Sequence, residues 1–231
     1  MYILIDHRIP SEAKANLAMY GQLIELKTKG ITYDAISLHP DIFCCQTPDN
    51  LIIAPNIPSY IIKTFQEKEV KYIFGKESVG MQYPQTSHYN AVVTENFLIH
   101  NTKNTDEKIL KSCSSKKILS VNQGYTRCNL IALNENNFIT SDKGIYNQFQ
   151  SCKDFKTLYV NPDKILLPDV NNGFFGGCCG IYKNKLFIIG NLDYLAEGLA
   201  VKELATSSSV KIIELYNGQL FDGGSILFIE P

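Results

Sequence analysis

A strand–turn–strand phrase recurs five times along this chain, about every 40–50 residues, and restricts the open folds more than any other feature. Each copy opens with a short polar cluster, runs on as an apolar strand, turns through polar residues and returns as a second apolar strand. The copies open at His39-Pro40-Asp41, His88-Tyr89-Asn90, Arg127-Cys128-Asn129, Cys178-Cys179-Gly180 and Gly223-Gly224-Ser225. The fifth copy stops before its return strand, whereas the chain starts with a lone apolar strand over 2–5. A ring in which the N-terminal strand completes the last module accounts for both ends. Equivalent positions in a ring face one axis, so His39, Asp41, Asn90, Cys128, Asn129 and Asp222 are expected to meet in one cavity.

The residues after each phrase extend the repeat. Helical composition followed by a β-rich run appears at 59–69 and 70–74, at 106–112 and 117–121, and at 145–153 and 157–160. The same order returns at 194–206 and 210–215 and, for the fifth module, at 11–20 and 21–26. Every module therefore reads strand, strand, helix, strand. The strands are continuous Ile/Leu/Val runs, not alternating ones, which suits strands covered by helices on one side and packed on the other. The expected architecture is one domain over 1–231, an α/β fold arranged as a five-bladed propeller. The rival is an ordinary α/β domain whose repeats arise by chance.

Composition narrows the partners. The chain has 22 basic and 23 acidic residues and a net charge of −1, so nucleic acid and acidic lipid are not expected. Its longest apolar runs are strand-sized, and MYILIDHRIP lacks the basic start and long apolar run of a signal peptide. Seven cysteines cannot all pair, and Cys44-Cys45 and Cys178-Cys179 are poorly spaced for a disulfide framework. These features predict a cytoplasmic protein with reduced thiols. No C-x₂-C or H-x₃-H spacing suggests a metal, and no G-x-G-x-x-G turn suggests a dinucleotide, so no cofactor is expected.

Five such modules resemble the pentein fold of guanidino-group-modifying enzymes: arginine deiminases, dimethylarginine hydrolases and amidinotransferases. The phrases DHRIP, HPDIFCC, QGYTRCN, ITSDKGI, FFGGCCG and DGGSILF are closer still to a clostridial-type bacterial group of that fold. The resemblance covers essentially the whole chain, and it implies a cysteine thiolate attacking an amidine carbon, a histidine moving protons and carboxylates clamping the guanidinium. Carried onto this sequence, Cys128 is the nucleophile, His39 the acid/base in a His-x-Asp signature, and Asp41 and Asp222 the clamps. Gly223 would let backbone approach a ligand, Arg127 would take a substrate carboxylate, and Asn90 and Asn129 stand at matching repeat positions. The implied partner is a small guanidino or amino-acid-like ligand in the central channel.

The sequence also departs from that pattern. Catalytic penteins generally carry the nucleophile in the last module, where this chain has Gly223, Gly224 and Ser225; Cys128 sits in the third, two modules from His39. His88 lies one module from Cys128 but lacks the following aspartate. Either the site has rotated around the ring or the catalytic set is gone and a binding function remains. Taken singly, each residue has a plainer role: Cys128 as a small buried apolar group, His39 and the asparagines as partners of strand ends, Asp41 and Asp222 as turn carboxylates, Arg127 as a surface ion-pair partner.

Overall fold

The computed structural model describes residues 1–230; Pro231, the last residue of the expected domain, lies outside them. Fifteen strands form five separate three-stranded sheets, each with the same internal order. In the first, β3 (Cys44–Gln46) pairs antiparallel with β4 (Leu51–Ile53), and β5 (Tyr72–Phe74) pairs parallel with β4 after the helix α3 (Ser59–Glu67). A hairpin needs only a short turn, whereas a parallel neighbour requires a crossover; the helix supplies it.

The pattern repeats. β6 (Val92–Val93), β7 (Phe97–His100), α4 (Glu107–Ser112) and β8 (Lys117–Ser120) form the second module. β9 (Leu130–Ala132), β10 (Asn137–Thr140), α6 (Lys143–Gln150) and β11 (Lys156–Tyr159) form the third. β12 (Cys179–Tyr182), β13 (Lys185–Ile188), α7 (Gly198–Ser207) and β14 (Lys211–Glu214) form the fourth. The fifth joins the chain ends: β15 (Leu227–Ile229) pairs antiparallel with β1 (Tyr2–Asp6), with Tyr2 opposite Ile229. After α1 (Ser11–Ala18), β2 (Gln22–Leu26) pairs parallel with β1.

The middle strands are the most deeply covered; Leu51–Ile53 are buried throughout, as a strand packed on both faces must be. Helices α3 and α6 bury residues one turn apart, Ile61 with Phe65 and Ile145 with Phe149. Side-chain caps fix two of the starts. Asp106 accepts from Lys108 N at the head of α4, and Asp142 from Ile145 N at the head of α6.

The opening clusters correct the sequence reading. The strand expected at 42–45 begins only at Cys44, because α2 (Pro40–Phe43) makes one helical turn first; α5 (Thr126–Asn129) makes a matching turn from the third opening cluster, before β9 starts at Leu130 as expected. Pro40 at the first helical position favours that turn, since its fixed φ suits a helix and its missing N–H costs nothing there. Cys128 therefore rides on a helical turn, not at a strand mouth. Likewise the expected helix at 194–206 starts only at Gly198, after a separate 3₁₀ turn at Leu192–Tyr194.

Hydrogen bonds join consecutive modules at their first strands and opening turns. Cys128 N donates to Asn90 Oδ1, Arg127 reaches Cys179 O, Ile226 N donates to Cys179 O, and Asp41 N donates to Gly224 O. The Gln46 side chain donates to Phe228 O, again linking the first module to the last. All seven cysteines are free, and among the described residues no helix is long and apolar enough to cross a membrane.

Candidate functional site

Three opening turns carry chemistry to one place. α2 presents His39 and Asp41 from the first module, α5 presents Cys128 from the third, and the loop before β15 presents Asp222 and Ser225 from the fifth. Cys128 Sγ lies 3.2 Å from Asp41 Oδ2 and takes a 3.2 Å hydrogen bond from Asn90 Nδ2, although Asp41 is 87 residues away in sequence. Asn90 also donates to Asp41 O, so one amide side chain ties the first and third modules together. His39, Asp41 and Cys128 each offer a donor atom within 4.8 Å of the others.

Asp222 flanks this group. It accepts from Phe174 N at 2.8 Å and Gly224 N at 3.0 Å, and its Oδ1 lies 4.0 Å from His39 Nδ1. On the other side, Asp6 Oδ2 lies 3.9 Å from His39 Nε2 and is gripped by the Arg8 guanidinium. Gly224 makes the close approach feasible: its φ is +61°, and a Cβ there would sit 2.1 Å from His39 Cβ. The cluster is dry, with His39 1 % and Cys128 4 % exposed.

Burial governs the protonation states. It holds His39 down to about 3, helped by the Arg8 charge, so the imidazole is neutral and neither carboxylate beside it forms an ion pair. Burial, reinforced by the Asp41 charge, raises Asp222 to about 7. Asp41 is raised by burial too, against the hydrogen bond from Ser225 and the Arg127 charge. The Cys128 thiol is pushed well up by burial and then by Asp41 and Asp222. Both His39 ring nitrogens and Asp41 Oδ1 are buried without a hydrogen-bond partner. Buried polar atoms are normally paired, so three orphans within one cluster leave hydrogen-bonding capacity there unused.

The other expected site residues lie elsewhere or serve differently. Arg127 donates from Nη1 to Gly176 O at 2.8 Å and from Nη2 to Cys179 O at 2.9 Å, stapling the third module to the fourth. Asn129 binds Tyr125 O and accepts from Ser141 Oγ, so it braces its own module. Gly223 packs on Ile9, where a Cβ would come within 2.6 Å of that side chain; it is Gly224 that meets the site. His88 is outside the cluster, with Nδ1 2.7 Å from Asn104 O.

Three participants escaped the sequence reading. Ser225, at φ +76°, donates to Asp41 Oδ2 at 2.6 Å. Asp6 and Arg8 could have been suspected from the pattern Asp-x-Arg closing an apolar strand. Arg8 also donates to Asp34 O and Ala35 O, tying the cluster to the 3₁₀ turn Asp34–Ile36. Just before that turn, Tyr33 Oη lies 3.4 Å from Tyr125 Oη, which in turn lies 2.5 Å from Thr86 Oγ1. Tyr33 is raised by burial and by Tyr125, with smaller contributions from Cys128 and Asp222, as befits a residue near that side of the cluster.

The arrangement can do two things. It can hold a compact cation among carboxylates beside a thiol and an imidazole. It also offers one sulfur, one nitrogen and one oxygen donor, a set that suits a borderline divalent metal. No local spacing foretold that set, because its members come from two modules.

The comparisons bear on the fold. A family described as "Family of unknown function (DUF6873)" matches residues 4–227. Among solved structures, DDAH from Pseudomonas aeruginosa complexed with citrulline is similar at TM-score 0.53 and 12% identity, over 92% of this chain and 91% of that one. C. jejuni agmatine deiminase is similar at TM-score 0.56 and 12% identity, over 95% and 90%. SxtG, an amidinotransferase from Microseira wollei in saxitoxin biosynthesis, is similar at TM-score 0.55 and 8% identity, over 92% and 87%. The fold is that of the pentein superfamily. No curated protein matches the sequence.

Proposed function

We propose, for a chain that belongs to the DUF6873 family and has the pentein fold, that the five modules close into a propeller and that the buried cluster acts on a guanidine or amidine carbon. Hydrogen bonds from each module to the next, and from the fifth back to the first, support the ring. One observation carries the chemistry: Asp41 and Asp222 are buried beside a neutral imidazole and thiol, with acceptor atoms left unpaired. Such a site is too rich in carboxylate for its own charge. It holds protons while empty and loses them to solvent as a planar cation binds between the two carboxylates.

The bound cation would also change the thiol. Positive charge beside Cys128 offsets the carboxylates that raise it, so the S–H proton passes to a His39 ring nitrogen and the thiolate forms only with the ligand in place. Sulfur attacks the amidine carbon and a C–S bond forms. His39 returns the proton to the departing nitrogen, the C–N bond breaks, and an S-linked amidine remains on Cys128. Water, losing a proton to His39, then forms the C–O bond and frees the sulfur; an amine in its place would give transfer.

The burial of Cys128 favours a second reading, in which the same cluster binds a cationic ligand without reaction. A panel of guanidino compounds separates the two through release of ammonia, amine or urea. The enzyme reading expects release by the wild type and none by Cys128→Ala. Release that survives the substitution ends this mechanism, and tight binding without release supports the binding protein.

A further inference from the structure

A cavity of about 780 Å³ opens among the first strands of all five modules. It is separate from the cluster: His39, Asp41, Cys128 and Asp222 do not line it. Its walls mix polar and apolar groups, the apolar part including Val93, Leu130, Ala132, Ile181 and Phe228. The inner end is marked by Cys44, Ala91, Leu130 and Ile226, which stand where the first strands begin, and Arg127 is the charged residue there.

The remaining charges lie further out. Asp49, Glu135 and Lys183 sit at hairpin turns, Lys71 precedes β5 and Glu230 follows β15. Glu135 accepts from Thr94 Oγ1, Glu95 N and Asn96 N, and Glu230 from Tyr182 Oη, so both have partners already. Arg127 bonds two carbonyls, which leaves Nε–H and one hydrogen on each terminal nitrogen for another acceptor. A concave site that sets apolar walls beside a few polar donors is the usual form of a small-ligand site. A guanidinium at the inner end repels the cation that the cluster attracts, and its planar fork matches a carboxylate.

We propose that this cavity is a second ligand site, independent of the guanidino reading, which takes a small monocarboxylate with its carboxylate on Arg127 and its apolar body along the strand walls. The chain has two arginines, Arg8 and Arg127, so labelling with phenylglyoxal followed by peptide mapping reads the site directly. Butyrate should slow the labelling of Arg127 about tenfold at a concentration about ten times its dissociation constant, and leave Arg8 unchanged. The protection should persist in Cys128→Ala, which separates it from the cluster, and disappear in Ala132→Phe, which fills the cavity. Failure of Arg127 to label in the free protein, equal protection of both arginines, or protection that survives in a folded Ala132→Phe would overturn the proposal. Protection by inorganic phosphate but not by butyrate would overturn the carboxylate assignment.

Discussion

Replacing Asp222 with asparagine should stabilise the protein in alkali and destabilise it in acid. Asp222 titrates near 7 in the folded chain, against an ordinary value of 3.8. The folded state thus holds a proton that the unfolded chain has released, and stability falls as pH rises from about 4 to 7. The full difference corresponds to about 4 kcal/mol, at roughly 1.4 kcal/mol per pH unit. Asparagine removes that penalty but has one carbonyl oxygen where the carboxylate binds both Phe174 N and Gly224 N, and losing one such bond costs about 1–3 kcal/mol. Asp222→Asn should therefore gain about 1–3 kcal/mol at pH 8.5 and lose a similar amount at pH 4.5. The wild-type profile alone hides this effect. His39 is held down to about 3, so its contribution is lost as pH falls below about 6.5, over much the same window but with the opposite sign. Urea denaturation of both proteins at the two pH values, compared through midpoints at common slope, gives the difference directly. A wild-type-minus-variant difference that does not change with pH would refute the burial argument for Asp222.

Other expectations follow from the same geometry. Gly224→Ala would force a left-handed φ and drive a Cβ into His39, so a loss of about 3 kcal/mol or more in thermal or urea unfolding is expected. Arg8→Met leaves Asp6 buried without its partner and should cost about 3–5 kcal/mol at pH 8, with much of the loss recovered in Arg8→Met/Asp6→Asn. Ser225→Ala removes the hydroxyl that holds Asp41 and should lower stability by about 1–2 kcal/mol, whereas Ser225→Gly should lose less because it relieves the positive φ. Ile52→Ala, in a fully buried middle strand, should cost about 2–5 kcal/mol in the same assay.

The modular order was legible because it depends on local patterns that repeat. Apolar runs of strand length and amphipathic pairs such as Ile61 with Phe65 recur at fixed intervals, and the pairing of Tyr2 with Ile229 follows from a module that lacks one strand. The one-turn helices α2 and α5 were not legible, since four residues carry no helical period and His39-Pro40-Asp41 reads equally well as a turn. Asp41, Asn90 and Cys128 stand at the openings of three modules and touch one another, yet equivalent residues need not point alike: Asn129 turns to Ser141 while Asn90 binds the sulfur. Asp6, Arg8 and Ser225 belong to the cluster only through tertiary contacts. Neither the pairing of Asp6 with His39 nor that of Ser225 with Asp41 leaves a spacing that a single sequence could show.

The central claim is that Cys128 becomes a nucleophile only when a cation occupies the carboxylates beside it. Acid-quenched protein from incubations with guanidino compounds, digested and mapped by mass spectrometry, tests this directly. The account predicts an amidino adduct confined to the Cys128 peptide, present with a reactive guanidino compound and absent from Asp41→Asn treated in the same way. An adduct on another cysteine, or turnover with no adduct on Cys128 at any quench time, would contradict it.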